Sequence, residues 1–278
     1  MKNTIIYISL FVVIGAIYSC GDNNGKKRGN NQKTLNISVY LDLSDRLTRD
    51  ITPNQTYRDT AIINYLVDFF REQTLGPAIL KSENKMKVLF YPTPNNKEIS
   101  ILAQGLSVDI SLKKGIEKRK ALEDMKNVFQ KNLSSIYEQT LTEQKWIGCD
   151  IWDFFSNKKV DNLCIKNGAR NILVILTDGY LFAEGNKIKE DYAYSYILPQ
   201  TLAIDNSSLI DRRNGDLKGK GLEVLFLEIN PYQHSHRDKM EKVLEDWLNN
   251  MGVEKFVIAE TDANLTNTQA IIKNFLEQ

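Results

Sequence analysis

Ser38-Val39-Tyr40-Leu41-Asp42-Leu43-Ser44-Asp45-Arg46 joins a predicted strand to a polar turn, and the rest of the predicted fold is arranged around it. Its first half is an uncharged, mostly apolar run that predicts a strand, and its second half is an acidic, hydroxyl-bearing turn. A second run, Asn171-Ile172-Leu173-Val174-Ile175-Leu176-Thr177-Asp178-Gly179, has the same design far downstream. Both runs are typical of strands that are buried on both faces of a parallel sheet.

An aspartate follows the carboxyl end of each predicted strand. In open α/β sheets, ligands bind just outside the carboxyl ends of the strands, at the point where the strand order reverses. If the two strands are neighbours, Asp42, Ser44 and Asp178 meet in one small volume. Two carboxylates and a hydroxyl form an all-oxygen site, which suits a hard divalent cation such as Mg²⁺.

The remaining chain alternates between strand and helix patterns. Strands are predicted at 35–43, 86–91, 171–176, 222–229 and 255–259, with a further strand in 99–111, and helices at 57–74, 115–144, 237–251 and 263–276. This alternation predicts an α/β fold, a doubly wound and mostly parallel sheet with helices on both faces. The segment at about 180–221 has no clear periodicity and is interpreted as an irregular insertion.

The bulk properties set limits on the class of protein. The chain has 278 residues and a formal net charge of +1. Its length suits one α/β domain. A charge so close to neutral gives no electrostatic reason to expect a nucleic-acid partner.

The first residues have the pattern of an export signal. Lys2 precedes an apolar run at 5–17, which is too short to span a membrane comfortably. The run ends in Ile17-Tyr18-Ser19-Cys20, which resembles a bacterial lipoprotein signal. That resemblance implies cleavage after residue 19 and lipidation of Cys20, and so a membrane anchor without a transmembrane helix. The alternatives are an uncleaved anchor and an ordinary secretory signal.

Residues 20–34 are predicted to be the lipidated cysteine and a flexible tether, because Gly21 to Thr34 contains no bulky apolar side chain. The folded domain is then 35–278. The protein is expected in the cell envelope. The tether lacks an acidic run, which favours a position facing the periplasm over one at the cell surface.

Two features leave alternatives open. Cys149 and Cys164 could form a disulfide in an exported protein, or both could be reduced thiols. The basic cluster at 113–120 could be a solvated face of the long helix or a surface that faces the membrane.

The order and spacing of three motifs resemble a von Willebrand factor A-like domain. They are Asp42-Leu43-Ser44-Asp45-Arg46, Gly148-Cys149-Asp150 and Thr177-Asp178-Gly179. The resemblance implies a doubly wound sheet with a metal-ion-dependent adhesion site. Asp42, Ser44 and Asp178 match ligand positions of that site.

Two positions depart from the family pattern. Arg46 stands where the family has a second serine, and Cys149 stands where it has a threonine. A thiol is a poor ligand for Mg²⁺, and Asp150 next to it could substitute. An inward Arg46 could pair with Asp42 or Asp178 and replace the ion, whereas an outward Arg46 could receive an acidic partner.

The resulting expectation is an envelope binding module that holds Mg²⁺, or Mn²⁺ or Ca²⁺, and engages an acidic residue of a protein partner. One alternative is a metal-free scaffold in which Arg46 replaces the ion. Another is a metal-assisted hydrolase built on Asp42, Asp45 and Asp178. No convincing catalytic constellation is visible, so the protein is not expected to be an enzyme.

Overall fold

Residues 33–278, apart from 77 and 147, are described by the structure, which is a computed structural model. The predicted signal peptide, the lipidated Cys20 and most of the predicted tether lie outside the described residues. Residues 33–278 form one compact unit.

Nine strands and eight α-helices make up this unit. The strands are β1 (Leu35–Leu41), β2 (Lys85–Leu89), β3 (Ser107–Asp109), β4 (Arg170–Leu176), β5 (Lys189–Glu190), β6 (Ala193–Tyr194), β7 (Ser208–Leu209), β8 (Leu222–Ile229) and β9 (Lys255–Glu260). The helices are α1 (Gln55–Thr74), α2 (Lys97–Gln104), α3 (Ile116–Glu143), α4 (Ile151–Ser156), α5 (Lys159–Cys164), α6 (Pro199–Leu202), α7 (Arg237–Met251) and α8 (Leu265–Glu277).

The main sheet has six strands in the order β3-β2-β1-β4-β8-β9. β3 is antiparallel to β2, and every other neighbouring pair is parallel. β1 and β4 are central, and the strand order reverses between them. The predicted doubly wound, mostly parallel sheet is therefore confirmed.

Side chains of the two central strands alternate between two separate cores. Ile37, Val39 and Leu41 of β1 face the core that also holds residues of α1, α3 and α8. Tyr40 faces the opposite core, which holds residues of α4, α5 and α7. Because successive strand residues point to opposite faces, the uncharged run of β1 is buried on both sides and the fold has three layers.

The further strand predicted within 99–111 is present as Ser107–Asp109. Residues 99–104 of the same segment belong to the helix α2, which was not predicted. The Asn96 side chain caps the helix by accepting a hydrogen bond from the Ile99 N–H at 3.0 Å. The predicted insertion at 180–221 contains α6 and a separate three-stranded sheet of β5, β6 and β7.

Cys149 and Cys164 are both buried and both free. The reduced alternative is therefore the one observed. Within the described residues, no helix is both long enough and apolar enough to cross a membrane.

Candidate functional site

The turns after β1 and β4 lie side by side at the carboxyl edge of the sheet. Leu41 of β1 is paired with Leu176 of β4, so Asp42 lies beside Thr177. The Asp42 N–H donates to the Leu176 carbonyl at 3.0 Å. The Thr177 hydroxyl donates to Asp42 Oδ2 at 2.9 Å. The predicted meeting of the two distant segments is therefore what the structure shows.

Each aspartate also closes its own turn. Asp42 Oδ1 accepts from the Ser44 N–H at 2.8 Å, and Asp178 Oδ1 accepts from the Tyr180 N–H at 3.0 Å. This local bonding two residues ahead is a reason why aspartate suits both positions. Gly179, between Asp178 and Tyr180, has a φ of +94°, and an added Cβ would lie 2.2 Å from Met240 Sδ. Only glycine fits there.

Arg46 points inward and is almost completely buried, with 1% of its surface exposed. Its Nε donates to the Asp42 carbonyl at 2.9 Å and lies 3.6 Å from Asp42 Oδ2. Its guanidinium forms a two-point ion pair with Asp59 of α1, at 2.7 and 3.3 Å. Burial alone would lower the pKa of Arg46, but the charges of Asp59 and Asp42 raise it above its ordinary value. The inward alternative is observed, but the principal partner, Asp59, was not anticipated.

Arg49, which the sequence analysis did not single out, is the cation that reaches Asp178. Its Nη2 lies 2.6 Å from Asp178 Oδ2 as an ion pair. Its Nη1 donates to the Asn230 carbonyl. The guanidinium lies over the Tyr232 ring, 3.8 Å from the ring centroid, and 5.7 Å from that of Tyr180. Arg49 is therefore held by a carboxylate, a carbonyl and two aromatic rings.

Asp178 is the carboxylate whose ionisation is most perturbed at this edge. Burial and the nearby charge of Asp42 raise its pKa to about 7, although Arg49 acts in the opposite direction. Loss of hydration thus outweighs the ion pair, as is common for a carboxyl group with 5% exposure.

A second buried ion pair extends the charge network behind the site. Arg58 donates two hydrogen bonds to Glu228, at 2.6 and 3.0 Å. The Gln55 side-chain amide donates to Asp59 at 2.9 Å and to Glu228 at 3.3 Å, which links the two pairs. The buried Gln55, Arg58 and Asp59 side chains of α1 thus all have partners.

Cys149 lines the site, and its neighbour Asp150 does not. The Cys149 backbone pairs with Phe182 through hydrogen bonds of 2.7 and 2.9 Å, and burial raises the pKa of its thiol. Asp150 Oδ1 accepts from the Asp153 N–H at 2.9 Å, so it caps α4. Both Asp150 oxygens also accept from the Asn186 amide, at 3.2 and 3.1 Å. Burial raises the pKa of Asp150.

A cavity of about 680 Å³ opens above this edge. Ser44 and Asp178 line it, together with the aromatic rings of Trp146, Tyr180, Phe182 and Tyr232. Its remaining charged lining residues are Asp45, Glu184 and Lys187. The cavity is mostly apolar with a few converging polar groups, which is typical of a ligand site.

The two predicted carboxylate ligands already have partners in this structure. Arg49 Nη2 lies 2.6 Å from Asp178 Oδ2, and Asp42 Oδ2 accepts from Thr177. A cation shared by the two carboxylates would have to displace Arg49. Among residues 33–278, no group of three or more His, Cys, Asp or Glu side chains could hold a metal ion.

Comparison with known proteins finds likeness to solved structures but no matching family or curated protein. A scan against protein-family models found no match, and no curated protein matched. Among solved structures, the chain is similar to the pilus adhesin SpaC from Lactobacillus rhamnosus GG in its open conformation, with 13% identity and a TM-score of 0.46. A second structure of SpaC has 13% identity and a TM-score of 0.45. Each likeness covers 89% of this chain but only 30% of SpaC.

Proposed function

We propose that this chain is a binding module of the bacterial cell envelope, held at a membrane through a lipidated Cys20, with a von Willebrand factor A-like fold. Its binding surface is the cavity above β1 and β4. The observation that carries the proposal is the position of that cavity, since open α/β sheets bind ligands where the strand order reverses. The strand order reverses between β1 and β4.

The binding in this proposal does not depend on a metal ion. Arg46 and Arg49 supply positive charge to the acidic turns, and Arg49 lies against Asp178 at 2.6 Å. This proposal extends the metal-free alternative, in which Arg46 replaces the ion. At Asp178 the replacing cation is Arg49 and not Arg46. An arginine is a permanent cation, so a positive charge stays beside Asp178 at any physiological pH.

The charge of the cavity favours a partner with a basic group. Arg49 pairs with Asp178, which leaves Asp45 and Glu184 with one ammonium, that of Lys187, among the lining residues. Aromatic rings with nearby carboxylates suit a lysine or arginine side chain, because the ring faces attract cations, as Arg49 over Tyr232 illustrates. An acidic partner fits only the divalent-cation prediction, in which the ion keeps a coordination position open.

The cavity is tested by capturing the partner from envelope extracts of the producing cell. Glu184→Lys reverses a charge at the cavity, and Glu123→Lys makes the same change on the exposed face of α3. We expect the wild type and Glu123→Lys to capture the same protein, and Glu184→Lys to lose it. Equal capture by both variants would place the binding surface elsewhere.

The role of metal is tested by calorimetric titration of Mg²⁺ and Mn²⁺. We expect no binding by the wild type, and a gain of binding by Arg49→Gln, which frees Asp178. Binding by the wild type that Asp42→Ala abolishes would instead support the divalent-cation prediction. If the wild type, Arg49→Gln and Asp42→Ala all fail to bind metal, the divalent-cation prediction is wrong and the proposal of a binding module is unaffected.

The anchor and the enzyme alternative have simple tests. Cys20→Ala should move the protein from the membrane fraction to the soluble fraction, because the acyl chains are lost. A screen against phosphoesters, with and without Mg²⁺, tests the hydrolase alternative, and we expect no turnover.

A further inference from the structure

The most exposed aliphatic side chains of the described residues lie together at the amino end of the sheet. They are Leu80, Leu112 and Ile116, which are 67%, 78% and 82% exposed. We call these three residues the amino-end patch. Single exposed aliphatic residues are common, but a cluster this exposed indicates contact with another surface.

Hydrogen bonds hold the segments of the patch together. Lys118, in the first turn of α3, donates through Nζ to the Leu80 carbonyl at 2.8 Å and to the Ser82 carbonyl at 2.9 Å. The Ile110 N–H donates to the Asn84 carbonyl at 3.0 Å. The turn carrying Leu80 and the turn carrying Leu112 are therefore fixed beside the start of α3.

Exposed basic residues surround the patch. They are Lys81, Lys113, Lys114, Arg119 and Lys120. None of the five has a side-chain ion pair to another described residue. Of the acidic residues nearby, Glu83 is paired with Lys166 at 3.1 Å, and the Glu117 side chain accepts from the Lys114 N–H at 3.3 Å. The surface around the patch is therefore positively charged.

The patch lies at the end of the sheet where the chain enters from the proposed anchor. The Leu35 N–H, at the start of β1, donates to Asn84 Oδ1 at 2.8 Å. Cys20 is 15 residues before Leu35. The tether predicted from the sequence would reach on the order of 20 Å. The cavity, at the carboxyl end of the strands, lies at the opposite end of the sheet.

We propose that the amino-end patch docks on a bilayer containing anionic phospholipid. The three aliphatic side chains enter the interfacial region, and the surrounding lysines and arginine bind the headgroups. This contact orients the cavity away from the membrane, toward a partner. It rests on the proposed membrane location, but it is a property of the folded domain and not of the lipid anchor.

The test uses the mature chain, residues 20–278, with Cys20→Ser, so that no acyl chain contributes. Sedimentation is measured with vesicles of phosphatidylcholine and of phosphatidylcholine mixed with phosphatidylglycerol. We expect binding to the anionic vesicles only. Lys113→Gln with Lys114→Gln should weaken it by roughly 30-fold, at about 1 kcal/mol for each charge.

A matched pair of variants distinguishes binding through the amino-end patch from nonspecific binding through any exposed apolar side chain. Ile116→Ser should lose about tenfold in vesicle binding, which corresponds to about 1.4 kcal/mol, because it removes an inserted apolar side chain. Ile101→Ser is the control, since Ile101 is 66% exposed and lies on α2. It should bind as the wild type does, and circular dichroism should show both variants folded.

Three results would overturn the proposal. Equal sedimentation with both kinds of vesicle would show that anionic headgroups do not contribute to binding. Equal binding by Ile116→Ser and the wild type would show that the amino-end patch is not the membrane contact. A concentration-dependent dimer that Ile116→Ser dissolves would show that a second copy covers the patch. Because the tested chain carries no lipid, failure of Cys20 lipidation leaves this experiment unaffected.

Discussion

Replacing Arg46 with methionine should be among the most damaging single changes in this domain. Arg46 and its partner Asp59 have side chains that are 1% and 0% exposed. Without Arg46, the Asp59 carboxylate keeps only the Gln55 amide at 2.9 Å and the Tyr137 hydroxyl at 3.2 Å. A buried carboxylate is thus left without its cation.

The size of the effect follows from that stranded charge. Removing one partner of a buried ion pair costs about 3–5 kcal/mol. The total stability of a domain is on the order of 5–15 kcal/mol, so roughly a fifth or more of it should be lost. At about 2–4 °C for each kcal/mol in a chain of this size, the melting temperature should fall by roughly 6–20 °C.

Urea unfolding, followed by tryptophan fluorescence, measures the loss. Arg212→Met is the matched control, since Arg212 pairs with Glu190 and the two side chains are 45% and 49% exposed. It should change stability by less than about 1 kcal/mol. Adding Asp59→Leu to Arg46→Met removes the stranded charge, so the double variant should lose less than the sum of the single variants. A loss below about 1 kcal/mol for Arg46→Met, or full additivity, would refute this reasoning.

Three further predictions concern the same edge of the sheet and the cysteines. The pKa of Asp178 is raised from 3.8 to about 7, so between these pH values the folded state keeps a proton that the unfolded chain has released. The free energy of unfolding should therefore fall as pH rises from about 3.8 to about 7 and level off above that. Asp178→Asn should flatten the pH dependence of the urea midpoint. Gly179→Ala should cost about 1–3 kcal/mol in urea unfolding, whereas Gly185→Ala, which meets nothing within 4 Å, should be nearly neutral. Cys149 and Cys164 should react with a thiol reagent only after unfolding, and mass spectrometry should find no disulfide between them.

The central sheet is predictable because its signal is local. The runs before Asp42 and Asp178 are long, uncharged and rich in aliphatic residues, and only a strand covered on both faces buries them. Parallel neighbours then bring their carboxyl ends to one edge, so the meeting of the two aspartates follows from the fold class. Asp150 as a helix cap follows in the same way from local spacing.

The arginine partners depend on contacts between distant segments and are not visible in the sequence. Arg46 and Arg49 lie three residues apart, yet one reaches Asp59 on α1 and the other reaches Asp178 after β4. No local pattern says which carboxylate each will meet. A weak signal was present on α1, where Asp59 falls on the buried face of an amphipathic helix and therefore needs a charged partner.

The most direct measurement is anomalous scattering from crystals of the protein grown with Mn²⁺. We expect no manganese between Asp42 and Asp178, with the Arg49 guanidinium against the Asp178 carboxylate. A manganese ion within roughly 2.0–2.6 Å of oxygens from both carboxylates, with Arg49 displaced, would contradict it.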